Sequence, residues 1–423
     1  MSKLPPKVPD LDAQLAVREV ASADTALQAQ RAFERNIDHL ADWQIIFADP
    51  TDVGSVKLVD EALGDTAMAT TIFRGRSLWL MDAPFVRSGG TVAASMSGGS
   101  SMFLDSNAAS HIRAIAYETA PVAEALKAAS LMNTLGPRLQ NLNPSLYLYE
   151  CRRHWDDETI SACRQTLAAV HALCGSGGPL TKDWGVRFRA TFHEQSEYMA
   201  DALIAEFERE LHEGLADELS HHMDLMETVL IQTQIIQLSS KKQLPHKLAE
   251  LVSFMHDKLA TIMIRELIVC GDILGRNPAS RIAQKLNSLQ NQPKPFEHLR
   301  NCAWDLYIPR ALDRLCAVKR EQSGLDFYLA EVLTFDADVC GMIRTSRVRA
   351  LAVHRPTMMN FPFFDSDVAE WIGNRLGPKR MSQLAEHFQP QAFKDRAQRR
   401  DPSALQSLLH EGREQLTHIL RNL

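Results

Sequence analysis

Residues 101–107, Ser-Met-Phe-Leu-Asp-Ser-Asn, place an aspartate directly after a short apolar run and before a helix-like segment. In an α/β protein this order carries an acid, here Asp105, to the carboxyl end of a central strand, where open parallel sheets bind ligands. Residues 332–338, Val-Leu-Thr-Phe-Asp-Ala-Asp, have the same form and supply Asp336 and Asp338. The two stretches predict strand-end acids, which would need further acids to build a metal site.

Two more acids lie among apolar residues, where an acid on a solvated face is not expected. Glu150 follows the helix start Asn143-Pro144 and an aromatic-aliphatic turn, and Asp305 lies within the apolar helix-like segment 301–308. Buried carboxylates repel one another, and burying each charge is unfavourable unless a cation or hydrogen bonds compensate. Hard oxygen ligands of this kind suit Mg²⁺ or Mn²⁺.

The order and spacing of these motifs resemble those of the PIN-domain nuclease family, particularly its larger bacterial PIN-like members. The shared pattern is a Leu-Asp-x-Asn strand end, an acid on a following helix, an Asp on a later helix and a terminal Thr-x-Asp. The matching residues here are Leu104-Asp105-Ser106-Asn107, Glu150, Trp304-Asp305 and Thr334-Phe335-Asp336. The stretch between Glu150 and Asp305 is longer than a compact PIN domain allows, and we interpret the excess as a helical insertion over about residues 160–260.

The resemblance implies a nuclease that cuts phosphodiester bonds with one or two bound Mg²⁺ or Mn²⁺ ions, with RNA as the expected substrate. It implies that Asp105, Glu150, Asp305 and Asp336 hold the metal. Glu266 is an alternative to Glu150 as the metal ligand on a helix, or a further member of the site.

The same resemblance assigns supporting roles to residues next to these acids. Asn107 would orient a metal-bound water or a ligand carboxylate, and Thr334 would hydrogen-bond the phosphate or Asp105. Asp338 would support the site or be solvated. Arg152 and Arg153 follow Glu150 directly, where the backbone of a nucleic acid needs neutralising, so they are expected to contact the substrate phosphates.

Each of these motifs also has an ordinary structural interpretation. Asp, Ser and Asn cap helices well, so Asp105 is alternatively an N-cap, and residues 334–338 are alternatively a turn. Glu150 and Glu266 are alternatively surface or salt-bridged helix residues. A non-catalytic helical scaffold or regulatory protein is therefore the competing function. A ferritin-like metalloprotein, suggested by Glu218-x-x-His221, would need a second such motif.

Bulk composition narrows the class of protein. The chain has 423 residues, enough for two or three domains, and a formal net charge of −6, which argues against nucleic-acid binding by charge alone. Its seven cysteines form no Cys-x-x-Cys pair, which is typical of buried thiols in a reducing compartment. The N-terminus lacks the apolar core of a signal peptide and no apolar stretch is long enough to span a membrane, so the sequence predicts a cytoplasmic enzyme. An inhibitor protein and a second copy of the chain are further predicted partners.

The predicted fold class is α/β, a PIN-like parallel-sheet core with a large helical insertion and a helical C-terminal region. Residues 1–100 form an N-terminal α+β region and linker, 101–355 the PIN-like domain, and 356–423 the C-terminal helices. Within the first region, residues 74–76 (Arg-Gly-Arg) predict a hairpin turn inside the strand-like run Thr70 to Met81. The Gly- and Ser-rich segment 88–101 predicts a flexible linker.

Overall fold

A computed structural model describes residues 10–58, 60–64, 66–89, 97–275, 280–317 and 324–422. The strands are β1 (Trp43–Asp49), β2 (Val56–Lys57), β3 (Glu61–Ala62), β4 (Met68–Thr71), β5 (Ser77–Asp82), β6 (Gly98–Leu104), β7 (Leu142–Asn143), β8 (Phe327–Thr334), β9 (Val348–His354) and β10 (Met359–Phe364).

The first nine α-helices are α1 (Leu11–Ala21), α2 (Ala26–Arg35), α3 (Ala83–Arg87), α4 (Ser106–Tyr117), α5 (Ala123–Asn133), α6 (Ser145–Cys151), α7 (Asp157–Ser176), α8 (Lys182–Arg187) and α9 (His193–Glu210). The later ones are α10 (Ala216–Ser239), α11 (Leu244–Asp257), α12 (Ile264–Leu274), α13 (Arg281–Asn287), α14 (Pro295–Leu315), α15 (Ala337–Thr345), α16 (Ser366–Leu384), α17 (Pro390–Arg399) and α18 (Pro402–Arg421). Two π-helical turns, Phe188–Phe192 and Leu211–Leu215, extend α8 into α9 and α9 into α10.

The strands form two sheets, so the chain has a mixed α/β fold. The first sheet has the order β10-β9-β1-β5-β2 and is antiparallel. The second has the order β3-β4-β8-β6-β7, in which β8, β6 and β7 run parallel while β4 runs antiparallel to β8. The predicted parallel arrangement is therefore present, but it is limited to three strands.

The predicted hairpin at residues 74–76 is wrong. The segment joins β4 to β5, but β4 pairs with β8 in one sheet and β5 pairs with β1 in the other. Gly75 turns the chain between the sheets with φ of 134°, and a Cβ atom there would lie 2.5 Å from the carbonyl oxygen of Asp49. Only glycine meets both demands without strain.

The predicted linker is also wrong in its last part. Residues 90–96 lie outside the described residues, but Gly98 to Ser101 belong to β6 and pair with β8 along its length. A Cβ atom at Gly98 would lie 2.0 Å from the ring of Phe327, so the glycine makes room for an aromatic side chain on the neighbouring strand. Glycine here reflects close packing within a sheet.

The three sequence regions do not fold as separate units. β1 and β5 come from residues 1–100, yet β1 pairs with β9, and β10 from the C-terminal region pairs with the other edge of β9. The C-terminal region therefore starts with a strand before its helices begin. Strand pairing between distant segments joins all three regions into shared sheets.

Residues 157–257 are mostly helical, with breaks at 177–181 and 240–243. α7 and α9 share a core with α4, which follows β6, and α10 packs against α12, α14 and α18. The helices thus cover the parallel strands and are part of the main cores. Within the described residues, no helix has both the length and the hydrophobicity that crossing a bilayer requires.

Candidate metal centre

The candidate site lies where the parallel strands β6 and β8 end. Leu104 is in register with Leu333, and the amide of Asp105 donates to the carbonyl of Leu333 at 3.2 Å. The next residues of both strands, Asp105 and Thr334, therefore lie side by side at the carboxyl edge of the sheet. This is the edge at which the sequence predicted a ligand site.

Asp105 combines a capping role with a bond to the neighbouring strand. Its Oδ1 accepts a hydrogen bond from the amide of Ala108 at 2.7 Å, so Asp105 is the N-cap of α4, as the alternative interpretation predicted. Its Oδ2 accepts the hydroxyl of Thr334 at 2.5 Å and the amide of Phe335 at 3.2 Å. The carboxylate is almost fully buried and fixes the end of β8 against the start of α4.

Three carboxylates from two elements converge beside Asp105. Asp336 caps α15, its Oδ1 accepting the amide of Asp338 at 2.7 Å, and the hydroxyl of Thr334 accepts the amide of Asp336 at 3.0 Å. Asp305 comes from the middle of α14. One carboxylate oxygen from each of Asp305, Asp336 and Asp338 lies within 4.8 Å of the others, a spacing that suits a single cation.

Asp338 gives the cluster an unsatisfied acceptor. Its Oδ2 forms an ion pair with Lys285 of α13, whereas its Oδ1 is buried and has no hydrogen-bond partner among the described residues. The Asp338 side chain is 2% exposed and that of Lys285 is 41% exposed. A buried carboxylate oxygen without a partner is unfavourable, so this atom has an unmet need for a donor or a cation.

Glu150 lies beside the same cluster. Its carboxylate hydrogen-bonds the side chains of Ser106 and Trp304, the residues that precede Asn107 and Asp305 in the two motifs. Its charge also interacts with those of Asp105, Asp305 and Asp336. The four predicted principal acids are therefore brought into one neighbourhood.

Burial and mutual repulsion disfavour the ionised form of these acids. Burial raises the pKa of Asp105 to about 7, against the bonds from Thr334 and Ala108, which lower it. Burial, followed by the charge of Asp336, holds the pKa of Asp305 well above its usual range. The pKa of Glu150 is raised by burial too. A bound divalent cation would favour the ionised forms instead.

The structure places Glu266 in a different set of contacts. It is fully buried on α12, and both of its oxygens accept from Arg310, at 2.9 and 2.8 Å. Burial alone would raise the pKa of Glu266, but Arg310 lowers it below its usual value. Its carboxylate is satisfied by a bidentate ion pair, so Glu266 is a salt-bridged helix residue. We therefore do not include it among the candidate metal ligands.

Of the five residues that were predicted to support the acids, Arg152, Arg153 and Asn107 lie in different surroundings. Arg153 lies beside the cluster, where its charge interacts with Glu150 and Asp305, and it donates to Asn301 at 2.9 Å. Arg152 points to Ser220 of α10, at 3.2 Å. Asn107 is exposed on the first turn of α4. Arg153 is therefore the better placed of the two arginines for a phosphate near the acids.

No feature of the sequence near Lys285 predicts its contact with Asp338, because the segment that forms α13 has the pattern of an ordinary solvated helix. Burial alone would lower the pKa of Lys285, but the bond to Asp338 and the charges of Asp305 and Asp336 raise it. The position of Ser106 in the strand-end motif, directly after Asp105, is a sequence signal for its place at the site.

Relatives would be the usual next source of information on such a cluster. The chain matches no known family model, no curated protein and no solved structure. We therefore infer a function from the geometry and charges of the site itself.

In the metal-free protein, we expect the free energy of unfolding to fall as the pH rises. The folded chain holds a proton on Asp105 up to about pH 7, whereas the unfolded chain releases it near 3.8, so the stabilisation is complete below that lower value and is lost as the pH rises through about 7. For Asp105 alone the loss is on the order of 4 kcal/mol, at about 1.36 kcal/mol per pKa unit. Urea unfolding in the presence of a chelator, between about pH 4 and pH 8, measures it.

The matched control is Asp105→Asn, which keeps a polar side chain at the start of α4 but cannot ionise. Its unfolding free energy should vary less with pH than that of the parent. Equal pH dependence of the two proteins would contradict the assignment of the effect to Asp105.

Proposed function

We propose that the chain is a metal-dependent endonuclease of PIN-like design, which hydrolyses phosphodiester bonds in RNA at the carboxyl edge of the parallel strands. The observation that carries the proposal is the convergence of Asp305, Asp336 and Asp338 within 4.8 Å, next to Asp105 and Glu150. The acids come from four segments that are separated in sequence, and their convergence creates a concentration of negative charge that a structural role alone does not require.

The residues present fit a hard divalent cation. All the donors are carboxylate oxygens, which Mg²⁺ and Mn²⁺ prefer, and Asp338 supplies a buried oxygen with no other partner among the described residues. Asp305, Asp336 and Asp338 would hold the ion. When bound, such an ion activates water and stabilises negative charge that develops on a phosphate.

The protein's own residues would prepare the site around the ion. Asp105, fixed by Ala108 and Thr334, holds the ends of both strands so that Asp336 faces Asp305. Glu150 is held by Ser106 and Trp304 beside the acids. Arg153, next to Glu150, offers a positive charge to a substrate phosphate.

Lys285 supports a second candidate function. Its ammonium group already neutralises Asp338, so the cluster could be a purely structural ion-pair network in a helical scaffold or regulatory protein. The two functions differ in what a divalent ion does. In the nuclease, the ion competes with Lys285 for Asp338, whereas in the scaffold, Lys285 is the only cation that the acids need.

The decisive experiment compares end-labelled single-stranded RNA and DNA of one sequence, incubated with Mn²⁺, with Mg²⁺ or with a chelator. We expect internal cleavage of RNA that requires the metal and that is lost in Asp336→Asn. Asp12→Asn, which changes an exposed acid on α1, is the matched control and should cut as the parent does.

Melting temperatures measured on the same proteins separate the two candidates. For the nuclease, Lys285→Gln should lower the metal concentration needed to stabilise the fold, because a competing charge has been removed. For the scaffold, Lys285→Gln should destabilise the protein equally with and without metal. Absence of cleavage together with absence of a metal-dependent shift would overturn the proposal.

A further inference from the structure

A second candidate site lies in a cleft of about 260 Å³ that contains none of the acids discussed above. Its walls come from α1, from β1 and β10, from the segment before α12, and from the start of α17. The side chains that define its character are Trp43, Ile262, Phe361, Phe363, Phe393 and Arg396.

Five of the residues that line the cleft are aromatic. The ring of Phe361 lies 5.4 Å from that of Trp43 and 5.5 Å from that of Phe393, measured between centroids, and both pairs are inclined. Such a wall offers ring edges and faces to a flat apolar body. The cleft is large enough for a small fused-ring compound, although it is at the small end for ligand pockets.

One end of the cleft carries a buried positive charge. Arg396 is 5% exposed, and its Nη1 donates to the carbonyl of His387 at 2.6 Å and lies 3.0 Å from Nδ1 of His256. Its Nε is buried without a hydrogen-bond partner among the described residues, and no carboxylate there forms an ion pair with it. A guanidinium group in this state lacks the anion that such a buried charge normally has.

The surroundings of Arg396 add to the excess of positive charge. Arg399 donates to the carbonyls of His256 and Asp257, and Arg400 to that of Ala260. Burial, followed by the charges of Arg400 and Arg399, lowers the pKa of Arg396 to about 10.

Two acids and two histidines also lie near this end of the cleft. The charge of Asp395 raises the pKa of Arg396, and its carboxylate accepts a hydrogen bond from Gln391 on the same helix. A carboxylate oxygen of Asp257 lies 3.9 Å from Nε2 of His256. The rings of His256 and His387 stack at 3.9 Å. Neither acid is in ion-pair contact with the guanidinium group of Arg396.

The start of α17 reinforces the same preference. Gln389 and Pro390 line the cleft, and Gln389 forms no side-chain cap on the helix. The amino end of a helix carries a partial positive charge and unsatisfied amide groups. A negatively charged group beside Arg396 would therefore meet two independent sources of stabilisation.

We propose that this cleft binds a small aromatic anion, a flat ring system that carries one carboxylate or phosphate group. The rings of Trp43, Phe361 and Phe393 would contact the flat body, and the guanidinium group of Arg396 would pair with the anion. This site is independent of the proposed nuclease, since the two share no residue.

Titration calorimetry of the full chain in a chelator tests the proposal with four probes. Naphthalene-2-carboxylate and 2-naphthyl phosphate carry the ring and a charge, naphthalene-2-carboxamide carries the ring alone, and inorganic phosphate carries a charge alone. We expect one of the two charged naphthalenes to bind at least about tenfold more tightly than the carboxamide, and inorganic phosphate to bind weakly. The tighter of the two identifies the anionic group.

Variants connect the binding to the cleft. Arg396→Gln should abolish the difference between the charged probe and the carboxamide, whereas Arg31→Gln, an exposed arginine on α2, should preserve it. Ile262→Trp fills the cleft from another wall and leaves Arg396 unchanged, so it decides the matter if Arg396→Gln fails to fold. It should weaken both ring probes.

Three results would each overturn the proposal. They are equal binding of the carboxamide and the charged probes, absence of binding by every ring probe, and unchanged binding by a folded Arg396→Gln or Ile262→Trp protein. Because these measurements are made without metal, they do not depend on whether the chain cuts RNA.

Discussion

Replacing Asp305 by asparagine is expected to reduce metal-dependent RNA cleavage by about 10³-fold or more, a loss of about 4 kcal/mol in transition-state stabilisation. The same substitution should raise the melting temperature of the metal-free protein. Asp305 carries a pKa well above its usual range because it is buried and faces Asp336, so its ionised form opposes folding. An amide of the same shape removes the repulsion and also removes a ligand.

The test combines initial cleavage rates with melting curves, each taken with Mn²⁺ and with a chelator. The parent should gain stability from the metal, and Asp305→Asn should gain much less. Asp12→Asn should behave as the parent in both measurements. A variant that loses cleavage but is also destabilised without metal would contradict the electrostatic account, because it would show that Asp305 serves the fold.

Replacing Asp313 by alanine is expected to destabilise the protein by roughly 3–5 kcal/mol, the usual cost of leaving one partner of a buried ion pair unpaired. Asp313 on α14 accepts two bonds from Arg265 on α12, at 2.8 and 3.1 Å, and Ser346 accepts a third at 3.2 Å. Both charged side chains are almost fully buried. Without the carboxylate, the guanidinium group keeps its charge in an apolar environment.

Urea unfolding measures this effect through the shift of the midpoint. The control is Glu206→Ala, which breaks the exposed ion pair with Arg209 and should cost less than about 1 kcal/mol. The double variant Asp313→Leu with Arg265→Met should recover much of the lost stability, because neither charge is then buried. A small effect of Asp313→Ala, similar to that of the control, would show that water reaches Arg265.

The strand-end acids were predictable from sequence because the rule that places them is local. An apolar strand followed by Asp105 or by Thr334-Phe335-Asp336 fixes which residue emerges at the end of the strand, and the parallel pairing of β6 with β8 then brings the two ends together. The same logic did not separate Glu266 from Glu150, since both are acids among apolar residues of a helix. Only the fold shows that Arg310 neutralises Glu266.

The errors arose where a partner lies far away in the sequence. A Gly-Ser-rich segment predicts a linker, but here Gly98 is a glycine because the ring of Phe327 on the adjacent strand packs against it. The turn at residues 74–76 predicts a hairpin until β4 is seen to pair with β8, which lies more than 250 residues later. The contact between Lys285 and Asp338 could not be predicted for the same reason, since no residue near Lys285 in the chain indicates it.

The position of β1 between β5 and β9 has a consequence for how the chain matures on the ribosome. β1 emerges early, but its neighbour β9 starts about 300 residues later, a delay of roughly 15–60 s at about 5–20 residues per second. During that time one edge of an apolar strand lacks its native neighbour, and unpaired edges of this kind recruit foreign strands. A nascent chain stalled before residue 348 should therefore be a strong client of holding chaperones, and a chain released after β10 should not.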